Sequence, residues 1–156
     1  MTFIKRSALT FILLSLFGIA HAGVVEFNAT TFSTNEITTP ATITLKRTGD
    51  TTAAASVLVS VTGGTALVTS DYTFTPATVS WAAGDAANKT VSVVIVDDRV
   101  VEGTETVTLG LSAVTGDTIG ADSTATLSIL DYEQGTLQFS SATLSVAENA
   151  GTASIS

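Results

Sequence analysis

The sequence predicts an all-β protein, and three observations carry that prediction. Thr, Ser, Val, Ile and Ala dominate the chain after residue 22, the residue types that fit a pleated, half-buried surface. Proline occurs only at Pro40 and Pro76. Short runs alternating apolar and polar residues recur every ten to fifteen positions, whereas no stretch after residue 22 carries the period of an amphipathic helix.

The first 22 residues stand apart from this pattern. Lys5-Arg6 precede an apolar stretch from Ala8 to Ala20, interrupted only by Thr10, Ser15 and Gly18 and followed by Ala20-His21-Ala22. That is the basic, apolar and small-residue order of a cleavable secretory signal, with the cut expected after Ala22. The stretch is too short for a spanning helix, which needs about 20 apolar residues. A secreted or cell-surface protein is therefore expected, exported by a signal peptide covering residues 1–22. The absence of cysteine rules out disulfides, so stability must come from the core and from any bound metal.

Seven strands follow. Strand A is expected from Val24 to Ser33 with a break near Ala29, and strand B from Ala41 to Arg47, where Ile43 and Leu45 alternate with Thr42 and Thr44. Strand C, Ala55 to Val61, sets Val57, Val59 and Val61 on one face; strand D runs from Ala77 to Trp81, with Trp81 and Val79 inward. Strand E spans Lys89 to Val96. Strand F, Thr104 to Ala113, turns Val107, Leu109 and Leu111 inward, and strand G, Thr124 to Leu130, does the same with Ala125, Leu127 and Ile129. Seven antiparallel strands in about 110 residues give a two-sheet, immunoglobulin-like β-sandwich.

After Asp131 the sequence begins again. With an offset of 112, residues 135–156 match residues 23–44 at seven of 22 positions, including Gly135 on Gly23, Phe139 on Phe27 and Glu148 on Glu36. Residues 134–156 are accordingly expected to start a second copy of the domain that occupies residues 23–133.

Strand parity sorts the charges. If consecutive strands run antiparallel, the A–B, C–D and E–F connections and the exit from G share one end, here called upper. Glu36, Asp71, Asp97, Asp98, Glu102, Glu105, Asp131 and Glu133 all fall there. Asp50, Asp85, Asp117 and Asp122 fall at the lower end, near Lys46, Arg47 and Lys89. Carboxylates this close repel one another unless solvent or a cation compensates them. Donors that are all oxygen, without His or Cys, favour calcium over zinc or copper. A solvated acidic end that keeps the protein soluble is the competing reading.

The same residues carry a resemblance. Gly64-Thr65-Ala66 with Ser70-Asp71-Tyr72-Thr73-Phe74, Trp81 to Asp85 with Lys89 to Val93, Val94 to Asp98 with Glu102 and Glu105, and Ala125 to Asp131 together resemble the Calx-beta family over roughly Gly23 to Glu133. The resemblance implies calcium as the cofactor, ligated by Glu36, Asp71, Asp97, Asp98, Glu102, Glu105 and Asp131. It also implies a structural or adhesive repeat protein whose ions sit near the junction with the neighbouring repeat. Arg99 departs from the family pattern, which often carries a third acid after the Asp pair, and fewer or weaker sites are expected in consequence.

Other functions find little support. The chain carries 14 acidic against six basic residues, two of the latter in the leader, which excludes nucleic acid as a partner. The only histidine, His21, lies in the leader, so imidazole acid–base and Ser-His-Asp chemistry are not expected. The chain reads as no enzyme. The rival to a calcium module is a metal-free spacer or adhesion sandwich.

Overall fold

The structure, a computed structural model, describes residues 22–133 and, beyond them, residues 143, 145 and 147–149. The expected signal segment before Ala22 and the bulk of the expected second repeat lie outside the described residues. Those described form ten strands: β1 Val24–Phe27, β2 Thr31–Asn35, β3 Ala41–Thr48, β4 Ala55–Gly64, β5 Tyr72–Thr73, β6 Ala77–Trp81, β7 Lys89–Ile95, β8 Glu105–Thr115, β9 Thr118–Ile119 and β10 Thr124–Leu130. They build two five-stranded sheets, ordered β5-β7-β3-β1-β9 and β2-β10-β8-β4-β6. Inner faces meet in one core that includes Phe27, Ile43, Leu45, Val57, Trp81, Val93, Leu109 and Leu127. Each such side chain contributes about 1.5–3 kcal/mol by leaving water. The Trp81 indole N–H is satisfied by the Ala87 carbonyl at 2.7 Å.

Ten strands arise from the seven expected because three of them split between the sheets. Strand A divides into β1, which pairs with β3, and β2, which pairs in parallel with β10. Strand D gains β5, which pairs with β7, before β6 pairs with β4. Pro76 lies between the two halves, where a residue without an N–H cannot extend a ladder. Strand G gains β9, parallel to β1, ahead of β10. At that crossing a Cβ on Gly120 would stand 2.2 Å from Glu26 Oε2 and 2.7 Å from Val24 Cγ1, so a larger residue would have to displace the Glu26 side chain. None of the splits reverses the chain, and the parity that sorts the loops into two ends survives.

Ion pairs fasten the lower end. Arg47 Nε donates to Asp117 Oδ2 at 2.7 Å, and both side chains are buried. The guanidinium also donates to the Ala53, Ala82 and Asp85 carbonyls. Lys46 lies 3.2 Å from Glu26 and 3.8 Å from Asp122, and Lys89 lies 2.7 Å from Asp85.

Candidate metal centre

Local structure at the upper end delivers the carboxylates one by one. Glu36 follows β2, and its N–H donates to the Leu130 carbonyl at 3.0 Å, so the parallel pairing with β10 seats it beside Asp131. Asp71 immediately precedes β5. Its carbonyl accepts the Val96 N–H at 2.9 Å, which ties it to the end of β7, and its carboxylate accepts the Leu67 N–H. Asp97 and Asp98 begin the β7–β8 loop with side-chain turns, accepting the N–H of Arg99 at 3.2 Å and of Val100 at 2.9 Å. Asp131 secures the far side of that loop: Oδ2 accepts the Glu102 and Gly103 N–H groups at 2.8 and 2.9 Å, while Oδ1 accepts that of Glu133 at 2.8 Å.

Three sets of carboxylate oxygens result, each with its members within 4.8 Å of one another: Glu36, Asp98 and Glu102; Glu36, Asp131 and Glu133; and Asp71, Glu102 and Glu105. Glu36 and Glu102 each belong to two sets, which joins all three into one continuous cluster. Asp71 is 2% and Glu36 5% exposed, so part of the cluster is shut away from water. Six of the seven residues nominated from sequence are brought together. Asp97 belongs to none of the three sets, whereas Glu133, which the resemblance does not nominate, belongs to one. Parity alone placed Glu133 at this end; only the turn that Asp131 imposes on the chain shows it facing Glu36. Arg99 is exposed and makes no ion pair with a described carboxylate, so its charge does not fill the cluster.

The electrostatics record this crowding. Glu36 is pushed up to about 7, first by burial and then by the charges of Glu133, Asp131 and Asp98. Glu105 is also pushed up to about 7, first by the hydrogen bond it shares with Asp71 and then by burial. Desolvation and the Asp98, Asp71 and Asp131 charges raise Glu102. Asp131 moves the other way, to about 2, because the N–H groups of Gly103, Glu102 and Glu133 stabilise its anion. Glu133 Oε2 is buried with no hydrogen-bond partner among the described residues. The result is a partly buried group of carboxylate oxygens with no basic partner among the described residues, a donor set made only of oxygen.

Comparisons with known proteins follow the same outline. The apo form of the Calx CBD1 domain superposes with a TM-score of 0.68 at 22% identity, covering 72% of this chain and 100% of that domain. CBD12 from CALX1.2 gives 0.65 at 24% identity, covering 69% of this chain but only 44% of that one. The Calx CBD2 domain gives 0.66 at 12% identity, covering 75% of this chain and 92% of that domain. At these identities the likeness establishes a shared sandwich fold. No curated protein matches the chain by sequence. A sequence model of the Calx-beta domain matches residues 19–133, well over half of the chain, and the chain belongs to the Calx-beta domain family.

Proposed function

We propose that this protein is an exported Calx-beta repeat protein whose upper end binds calcium and thereby stiffens the junction with the following repeat. One observation carries the reading: three interlocking carboxylate sets with no basic partner among the described residues. Glu36, Asp71, Asp98, Glu102, Glu105, Asp131 and Glu133 would hold the ions, with Asp97 at the margin. An oxygen-only cage of this size suits a cation that takes six to eight ligands better than magnesium, which demands a tight octahedron and keeps its water. Likeness to the calcium binding domain CBD12 of CALX1.1 supports the same choice.

The junction is supported by where apolar residues are exposed. Ile37, Leu67, Val68, Val100, Val101 and Tyr132 all lie on upper-end connections, and Val94 and Leu130 near the upper ends of their strands. Gly135, where the sequence repeat begins, follows Glu133 by two positions, so the next copy would adjoin this end. The role is structural or adhesive, and the leader before Gly23 directs export.

A calcium titration read by thermal unfolding tests the proposal. Stabilisation should follow RT ln(1 + [L]/Kd), about 1.4 kcal/mol at ten times Kd. Magnesium should give much less. An unfolding curve unmoved by calcium at about 10 mM, above the weakest range of extracellular calcium modules, would leave the metal-free spacer as the better description.

A further inference from the structure

The chain enters the sandwich at its lower end, at the residue that signal cleavage would expose. Gly23 is buried, and its carbonyl accepts both the N–H and the hydroxyl of Thr118, at 2.9 and 3.1 Å. The next residue, Val24, pairs with Thr48 on one side and Thr118 on the other. A Cβ at position 23 would stand 2.3 Å from the Asp50 main-chain carbonyl oxygen and 2.6 Å from Asp117 Oδ1, so the Gly23 backbone is packed tightly against the Asp50 main chain and the Asp117 carboxylate. Since Cβ and N diverge from the same Cα, the Gly23 nitrogen lies within about 5 Å of Asp117 Oδ1. Beside it opens a cavity of about 260 Å³, walled by Ala22, Asp50, Thr52, Ala53 and Asp117.

The charges around this cavity do not balance. Asp117 is matched by Arg47, whose guanidinium is fully engaged with it and with the Ala53, Ala82 and Asp85 carbonyls. Asp85 is matched by Lys89. Asp50 accepts the Thr52 N–H at 2.9 Å but has no ion-pair partner among the described residues, and it is the uncompensated charge. Hydrolysis of the Ala22–Gly23 bond by a signal peptidase adds one water. Ala22 departs with a carboxylate, and Gly23 keeps an ammonium. We propose that this cavity is the seat of the processed amino terminus, where the Gly23 α-ammonium is held against Asp117 and Asp50 and locks the lower end of the sandwich. The proposal rests on the export described above. Cleavage would then do more than release the chain, because it creates the cation that completes the domain.

The test uses the chain exported with its own leader, together with the same 23–156 chain carrying either a free or an acetylated Gly23. An acetyl group occupies the place of the Ala22 carbonyl and removes only the charge. The mass of the exported protein is expected to begin at Gly23. The Gly23 amine, followed by nitrogen NMR, is expected to titrate above the ordinary α-amino range of about 7.7–8.0. Because its folded value is raised, its contribution is complete below about pH 8 and disappears as pH rises through the folded value. Acetylation should therefore lower Tm by about 2–4 °C at pH 6, and the difference should vanish at high pH. Asp50→Asn, which leaves the Arg47–Asp117 pair intact, should reduce the shift. An exported protein beginning at another residue would overturn the proposal by removing its premise. An amine that starts at Gly23 yet titrates in the ordinary range, with Tm unmoved by acetylation, would overturn the seat while leaving export standing.

Discussion

The two ends of the sandwich both carry acids and treat them in opposite ways. At the lower end Glu26, Asp85, Asp117 and Asp122 meet Lys46, Arg47 and Lys89, and every ion pair among the described residues lies there. Glu26 is held below the usual range by the Asp122 N–H and by Lys46, and Asp85 by Lys89 and the Ala87 N–H. At the upper end no lysine or arginine among the described residues pairs with the carboxylates, and Glu36, Glu102 and Glu105 are pushed upward. One fold thus uses carboxylates to fasten its own strands at one end and, among the described residues, leaves them without basic partners at the other.

The comparison is most severely tested at the buried pair. Asp117→Asn would strand the Arg47 charge in the core and should cost about 3–5 kcal/mol of unfolding free energy, while the calcium response stays intact. Denaturant melts with and without calcium check both parts, and loss of the response would show that the ends are coupled. Next in size is Glu36→Gln with Glu102→Gln, which removes the two residues shared between sets. The calcium-induced rise in Tm should disappear, while the calcium-free protein becomes more stable because repulsion is relieved. A calcium response unchanged by the pair would move the site elsewhere.

The third expectation concerns pH. Glu36 and Glu105 titrate near 7 when folded and near 4.5 when unfolded, so the folded state binds more protons between those values. Their favourable contribution is complete below pH 4.5 and is lost as pH rises through 7. Calcium must displace these protons, so affinity should rise about tenfold per glutamate from pH 6 to pH 8, as calorimetric titration would report. The lower end, where Glu26, Asp50 and Asp85 are held low, should add no such dependence over this range. The smallest effect is expected from Asp97→Asn, which should change stability by about 0.5 kcal/mol or less and calcium affinity far less than Asp98→Asn. Equal losses of affinity would bring Asp97 into the cage.

Much of this was legible in the sequence for identifiable reasons. Alternation located the seven strands, and because none of the three splits reverses the chain, parity brought Glu36, Asp71 and Asp131 to one end across large sequence separations. The strands β5 and β9 were not legible. Two residues carry no period, and their pairing is decided by the neighbouring edge of the other sheet. Arg47 carried a signal that strand B already contained: it continues the inward series Ala41, Ile43, Leu45. Its partner Asp117 follows strand F in a turn, and nothing local marks it as buried. Glu133 was placed at the correct end by parity, but its approach to Glu36 depends on the hydrogen bond from its own N–H to Asp131.

The parallel register of β2 and β10 has a mechanical consequence. The described domain is entered at its lower end before β1 and left at its upper end after β10, so tension along an array of such domains draws β2 downward and β10 upward. The five paired positions from Thr31 opposite Thr126 to Asn35 opposite Leu130 are then loaded in shear, together, instead of being opened one at a time. Resistance to force is governed by the rate of unfolding, and this geometry sets a steep barrier along the direction of pull. The Glu36 N–H to Leu130 bond sits at the upper limit of that register, beside the carboxylate cluster, where a bound cation would add a rivet to the strands that carry the load.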